Sequence, residues 1–239
     1  RVDTDGTARL LDAGAGEARP PGAPLEAATA RPRTGAFAAP FDADYAKRRG
    51  YDPGFLGARQ RVELPTLSAA LRADAAPLLP PAKAGEVVLK YHGYSLVLHK
   101  RRRLALYSAA NIDFGHRWDM TRPPDEWRRD PRVATQYQLE AWYYTGNQFD
   151  RGHLTRREDM EYGATWQAAL IVAADTCHWT NCTPQHGKFN QGKTLWQGIE
   201  RYILERNWDS GQAARAQVIT GPVLDEGDPE YRKVQYPEQ

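Results

Sequence analysis

Apolar residues recur with structure-forming spacing only in the second part of the chain, and that contrast organises it before any motif is considered. Residues 1 to about 40 are rich in Ala, Pro, Gly and Arg, as in Arg19-Pro20-Pro21-Gly22-Ala23-Pro24 and Ala39-Pro40. They show no periodic apolar spacing and no cluster able to make a core, which reads as a tail or linker. Gly50-Tyr51-Asp52-Pro53-Gly54-Phe55-Leu56-Gly57 is a turn-rich aromatic lead-in. An extension over 1–50 and a folded domain over 51–239 are therefore expected. Leu64-Pro65-Thr66-Leu67 leads into a short helix near Ser68–Ala75, closed by Pro77, Pro80 and Pro81. Two β-type runs, Tyr94–Leu98 and Leu104–Ser108, flank the basic turn His99-Lys100-Arg101-Arg102-Arg103 and predict a hairpin. The proline-broken stretch from Asp113 to Arg132 predicts a long surface loop. Gly163 to Ala174 predicts a buried helix, and Asp175–Thr183 a strand. From Asn190 to Trp208 the spacing of Leu195, Ile199, Tyr202 and Ile203 predicts a helix with those residues on its core face. Gln217–Val223 reads as a last strand. Strands and helices do not alternate as βαβ units, so an α+β fold is expected.

Composition narrows this little. Hydrophobic residues make up 41% and charged residues 26%, and the formal net charge is +2, which tolerates a polyanionic ligand without predicting one. No apolar run approaches the roughly 18–20 residues that span a bilayer, so no membrane partner is expected. The chain starts Arg1-Val2-Asp3, without a start methionine or signal-peptide layout, and reads as part of something longer. Cys177 and Cys182, if extended, lie roughly 16–17 Å apart, beyond disulfide reach. Two buried thiols favour a reducing, cytoplasmic setting. Cys177, His178, Cys182 and His186 invite a zinc reading. In a strand, however, the odd separation of the two cysteines would point them to opposite faces.

The chemistry concentrates in three strings: Asp150-Arg151-Gly152-His153-Leu154, Thr180-Asn181-Cys182-Thr183-Pro184-Gln185, and Phe189-Asn190-Gln191-Gly192. Together they supply an acid, a base, a cation and two amides. Phosphodiester hydrolysis needs a base for water, positive charge at the non-bridging oxygens and stabilisation of the leaving oxygen. Histidine suits the first task because it is largely neutral at pH 7. Glycine before it is expected to let the backbone turn tightly there.

Asp-Arg-Gly-His, Thr-Asn-x-Thr-Pro-Gln, Asn-Gln-Gly and then Trp-x-x-x-Glu, in that order between about Tyr91 and Val223, resemble the DNA/RNA non-specific endonuclease family, of the Serratia-nuclease and endonuclease G type. The resemblance implies a ββα-metal fold with a central, mainly antiparallel sheet flanked by helices. It implies cleavage of DNA and RNA with little sequence or sugar preference, leaving 5′-phosphates. It also implies His153 as general base, Asn190 as the protein ligand of a hydrated Mg²⁺ (Mn²⁺ as substitute), and Glu200 holding the metal's waters. Asn181 would support the site, Arg151 would sit against the phosphate, Arg122 would contact the transition state, and Asp150 would orient its surroundings by hydrogen bonding. Arg101, Arg102 and Arg103 are candidate phosphate contacts outside the motif.

Two departures from the family pattern stand out. Asn190 to Glu200 spans ten residues, longer than is usual in the family, and Gly192-Lys193-Thr194 absorbs the excess if Trp196 is the anchor. The family domain continues past the Gly-Pro-Val strand, so the chain is expected to be truncated at its C-terminal side. The alternatives are a nucleic-acid-binding or regulatory module without turnover, and a nuclease held inactive by its extension or another domain. The segment before residue 50 is accordingly expected to lie along a folded surface or a partner, and an activating or inhibiting protein to act there.

Overall fold

The computed structural model describes residues 40–210 and 215–232; the tail before residue 40 and residues 233–239 lie outside them. The architecture is α+β. One sheet has the order β1-β2-β3-β6, antiparallel throughout, from Val88–Lys90 (β1), Tyr94–Leu98 (β2), Ala105–Asp113 (β3) and Arg215–Thr220 (β6). A second, two-stranded antiparallel sheet pairs Phe149–His153 (β4) with Cys182–His186 (β5). The helices are Ala69–Asp74 (α1), Ala141–Tyr144 (α2), Trp166–Asp175 (α3), Gly187–Asn190 (α4) and Trp196–Ser210 (α5). β4, β5 and the helices that follow form a ββα unit. Among the described residues, no helix is long and apolar enough to cross a membrane.

The predicted hairpin forms, and its packing explains its composition. β2 is buried at every position because the sheet is covered on both faces, which is why Tyr-Ser-Leu-Val-Leu reads as a nearly continuous apolar run. Leu96 and Leu98 join a cluster with Leu89, Tyr91, Val133, Leu154 and Met160; Val97 joins Tyr51, Ala75, Tyr107 and Ala109 on the other side. The register shifts between Val97↔Tyr107 and Leu98↔Ala105, leaving Leu106 as the extra residue of a bulge. The bulge resets the alternation, so that Ala105 and Ala110 share one face while Tyr107 and Ala109 share the other. α1 also forms as predicted, with the Ser68 hydroxyl accepting from the Leu71 amide. α3 buries Ala169, Leu170, Ala173 and Ala174.

Four expectations are corrected. Asp175–Thr183 is not a strand. Asp175 ends α3, and the Thr176 hydroxyl bonds back to the Ala173 carbonyl at 2.7 Å. A short 3₁₀ turn follows at Trp179–Asn181, and pairing begins only at Cys182. Asn190 does not open a long helix but ends α4; residues 191–195 form a turn before α5 starts at Trp196. The core face of α5 is displaced by one residue: Leu195, Ile199 and Tyr202 are exposed, whereas Leu204 is buried and Trp196, Glu200 and Ile203 are half-buried. The stretch from Asp113 to Arg132 is irregular, but it is more than a surface loop. Asp130 is buried and accepts from the Tyr91 hydroxyl at 2.5 Å, and Trp127 stacks on Trp179.

Packed structure also reaches ahead of the boundary expected at residue 50. Arg48 is buried in a bidentate pair with Asp175, its Nη2 2.7 Å and its Nε 3.0 Å from the carboxylate. The Tyr45 hydroxyl lies 2.9 Å from His178 Nε2, and the Phe41 ring packs against Arg128 and His178.

Candidate active site

The side chains singled out by the motifs meet because strand geometry alternates and because one glycine permits close pairing. Along the end of β4, Leu154 enters the main core while its neighbour His153 faces a cleft. Leu154 therefore anchors His153 from behind. Gly152 sits opposite Thr183 in extended backbone, not in a turn; a Cβ there would stand 2.2–2.6 Å from the Gln185 side chain. Glycine is needed for that approach, which replaces the tight turn expected from sequence. Pro184 lacks an N–H, and a two-stranded ladder tolerates this because both strands are edges.

The cleft holds about 140 Å³ and is lined by His153, Arg151 and Gly152 from β4, Arg122 from the long loop, Asn190 from α4 and Glu200 from α5. Arg156, Arg157 and Glu158, just past β4, complete it with Gln191 and Gln197. Four arginines face Glu158 and Glu200 across the lining, with Asp125 paired to Arg122 and Arg157 behind it, and their guanidiniums suit a phosphodiester backbone.

His153 is packed against the Trp127 ring, 4.6 Å between centroids. Burial holds its imidazole down at about 3; Asp125 pulls the other way, and Arg122, Arg157 and Arg151 reinforce the burial. The ring is thus neutral at physiological pH and able to accept a proton. Behind it, burial alone would raise the Asp125 carboxyl. Hydrogen bonds from Arg122 (2.7 Å) and Arg157 (2.6 Å), with the field of His153, outweigh burial and hold the group at about 2.

Asp150 accepts from the Asn190 side-chain nitrogen at 3.0 Å and from the Gln191 side chain at 2.8 Å, both at Oδ2. Because a carboxylate only accepts, this contact fixes the Asn190 nitrogen toward Asp150 and leaves its oxygen available as an acceptor or metal ligand. Glu200 lines the same cleft, with Arg156 Nε 3.8 Å away; burial raises its carboxyl above the ordinary value against the pull of Arg156. A carboxamide oxygen and a carboxylate lining one cleft are the hard oxygen ligands that suit a divalent cation such as Mg²⁺ or Mn²⁺. Residues 191–195 form the turn between Asn190 at the end of α4 and Trp196 at the start of α5.

The other motif residues lie elsewhere. Asn181 is buried away from the cleft lining, accepting from the Thr155 amide at 2.9 Å and donating to the Thr155 and Thr176 carbonyls. It clamps the chain just after His153 and has no group left for substrate. Arg101 pairs with Asp74, and Arg102 with Asp228 and the Asp225 carbonyl; neither they nor Arg103 line the cleft. The zinc set considered from sequence is not assembled: His178 is held by Tyr45 and the Asp175 carbonyl. Both cysteines are free and buried.

Sequence reasoning missed Arg156, Arg157 and Asp125, and it read Trp127 as a packing residue without placing it against His153. The first two were in plain view, directly after the motif in Thr155-Arg156-Arg157-Glu158. Asp125 and Trp127 come from the loop and carried no signal of their own.

Residues 79–239 match the profile of the family described as DNA/RNA non-specific endonuclease, over more than half of the chain. The chain is 39% identical over 204 residues to the uncharacterized protein y4fB of Sinorhizobium fredii, covering 80% of this chain and 29% of that one. It therefore spans less than a third of that relative's length. Among solved structures it is similar to a crystal structure of the EndoG/EndoGI complex describing EndoG inhibition, at 18% identity, 60% coverage of both chains and a TM-score of 0.47.

Proposed function

Because this chain belongs to the DNA/RNA non-specific endonuclease family, we propose that it hydrolyses phosphodiester bonds of DNA and RNA with little regard for sequence or sugar. The observation that carries this reading is the convergence of His153 with four arginines in one cleft. His153 takes a proton from the attacking water; its ring is neutral at physiological pH, and the same burial that keeps it neutral weakens it as a base. Arg151 and Arg122 meet the non-bridging oxygens as negative charge builds on them. Arg156 and Arg157 add to the field, and contact through phosphate makes binding indifferent to base identity. Asp150 orients Asn190, whose oxygen would hold Mg²⁺ when it binds, and Glu200 would accept hydrogen bonds from water on the ion. When bound, the ion neutralises charge on the phosphate and at the departing 3′ oxygen.

Asn190→Ala tests the assignment. Its cleavage should fall and need more Mg²⁺ for half-maximal rate, with the melting temperature preserved because the side chain is only half-buried. An unchanged Mg²⁺ dependence would remove Asn190 from the metal site.

A further inference from the structure

Cys177 has no part in the reaction described, yet its sulfur lies 3.7 Å from His153 Nε2 and 3.8 Å from Asp125 Oδ1. The three ligand atoms fall within 4.8 Å of one another. A tetrahedral zinc ion, with bonds of about 2.3 Å to sulfur and about 2.0–2.1 Å to nitrogen or oxygen, sets sulfur-to-ligand edges of about 3.5 Å. Both sulfur edges here are within a few tenths of an ångström of that geometry.

We propose that Cys177, His153 and Asp125 form an inhibitory site for zinc or another thiophilic divalent ion. Thiolate and imidazole favour such ions over Mg²⁺, which prefers hard oxygen ligands. As the sulfur–zinc bond forms, the Cys177 thiol releases its proton to solvent; nothing is oxidised or reduced. A neutral imidazole has one basic lone pair; with Nε2 bound to the ion, Nδ1 carries the ring proton and no nitrogen is left to accept one from water. Asp125 is the weakest ligand, because Oδ1 already accepts from Arg157 at 2.6 Å and Arg122 at 3.3 Å. The two guanidiniums also oppose an incoming cation, so affinity rests mainly on sulfur and imidazole. Cys177 is buried, and the ion enters from the cleft past half-buried His153, leaving its fourth position to water. Inhibition rests on the nuclease reading; metal binding does not.

The test titrates the whole chain with Co²⁺ as probe and follows thiolate-to-cobalt charge-transfer absorption. The wild type should saturate at one ion per chain. Cys177→Ser and Cys177→Ala, each checked by thermal melt, should lose the band, and Asp125→Asn should keep a weakened one. Cleavage in Mg²⁺ is then compared with and without zinc, each protein against its own zinc-free rate. Zinc should slow the wild type by about 10²-fold or more, the usual worth of a positioned base, and slow Cys177→Ser far less. A band that survives in both folded Cys177 variants, or a wild type that binds Co²⁺ without one, overturns the site. So does equal zinc inhibition of wild type and Cys177→Ser. A Cys177-dependent band in a chain that cuts nothing in Mg²⁺ would uphold the metal site while refuting the nuclease reading.

Discussion

The cleft beside β4 and the tip of the hairpin between β2 and β3 both gather arginines, and they differ in where the charge goes. At the tip, Arg101 and Arg102 pair with Asp74 and Asp228 on exposed surface, so their charge is answered locally. In the cleft, Arg122, Arg151, Arg156 and Arg157 converge on one space with His153. Their carboxylate partners are shared, with Asp125 serving both Arg122 and Arg157. Arg157 is itself buried, and its Nε and Nη2 lack a hydrogen-bond partner among the described residues. In the linear sequence the tip is the more conspicuous feature, three arginines in a row. Convergence, not local density, sets the proposed phosphate site apart.

The largest expected difference follows from the base. His153→Ala should lower single-turnover cleavage by about 10²–10⁴-fold while leaving nucleic-acid and Mg²⁺ binding nearly unchanged. Since the imidazole is held at about 3, the acid limb it imposes on kcat/KM lies far below neutrality, and between about pH 5 and 8 the base stays unprotonated. A limb near pH 6.5 would instead describe a histidine in ordinary aqueous surroundings. Such a result would break the burial argument.

A second prediction contrasts buried with exposed arginine in a different currency, stability. Arg48 and Asp175 are each 1% exposed, and removing one side of such a pair leaves the other charge buried. Arg48→Ala should cost about 3–5 kcal/mol, read as a lowered denaturant midpoint. A chain starting near Gly50 should be destabilised for the same reason. Full stability in both would show that the segment from Phe41 to Gly50 is dispensable.

The smallest effect belongs to the hairpin tip. Arg101→Ala should leave the melting temperature near the wild-type value and weaken cleavage slightly and evenly across sequences, measured on DNA and RNA at matched salt. A loss as large as that for a cleft arginine would erase the distinction between the two regions.

How much was legible follows from which signals are local. The hairpin, α1 and α3 were readable because alternation, capping and apolar runs act over a few residues. The order of motifs named the family, and His153, Arg151, Arg122, Asn190 and Glu200 do share one cleft. α5 misled because two stripes compete on it: Leu195, Ile199 and Tyr202 make the more apolar one, but Glu200 must reach the cleft. Turning Glu200 inward rotates the helix by one residue, about 100°, and exposes them. The segment 175–183 looked strand-like because it is buried. Before pairing with β4 begins at Cys182, its backbone groups are satisfied by the Tyr94 and Asn181 side chains and by a single bridge to Arg128 rather than by a continuous ladder, and composition does not reveal that. Asp125 and Trp127 depended on how a long loop folds back, a tertiary fact with no local pattern.

The central claim is that the cleft cuts phosphodiester backbones with a divalent cation. Nicking of supercoiled plasmid by the wild-type chain, with Mg²⁺ and again after exhaustive chelation with EDTA, tests it most directly. Progressive nicking at many positions with Mg²⁺, abolished by EDTA and restored by added Mg²⁺ or Mn²⁺, is the predicted result. Plasmid that is bound yet left intact with Mg²⁺, or cut equally well in EDTA, would contradict it.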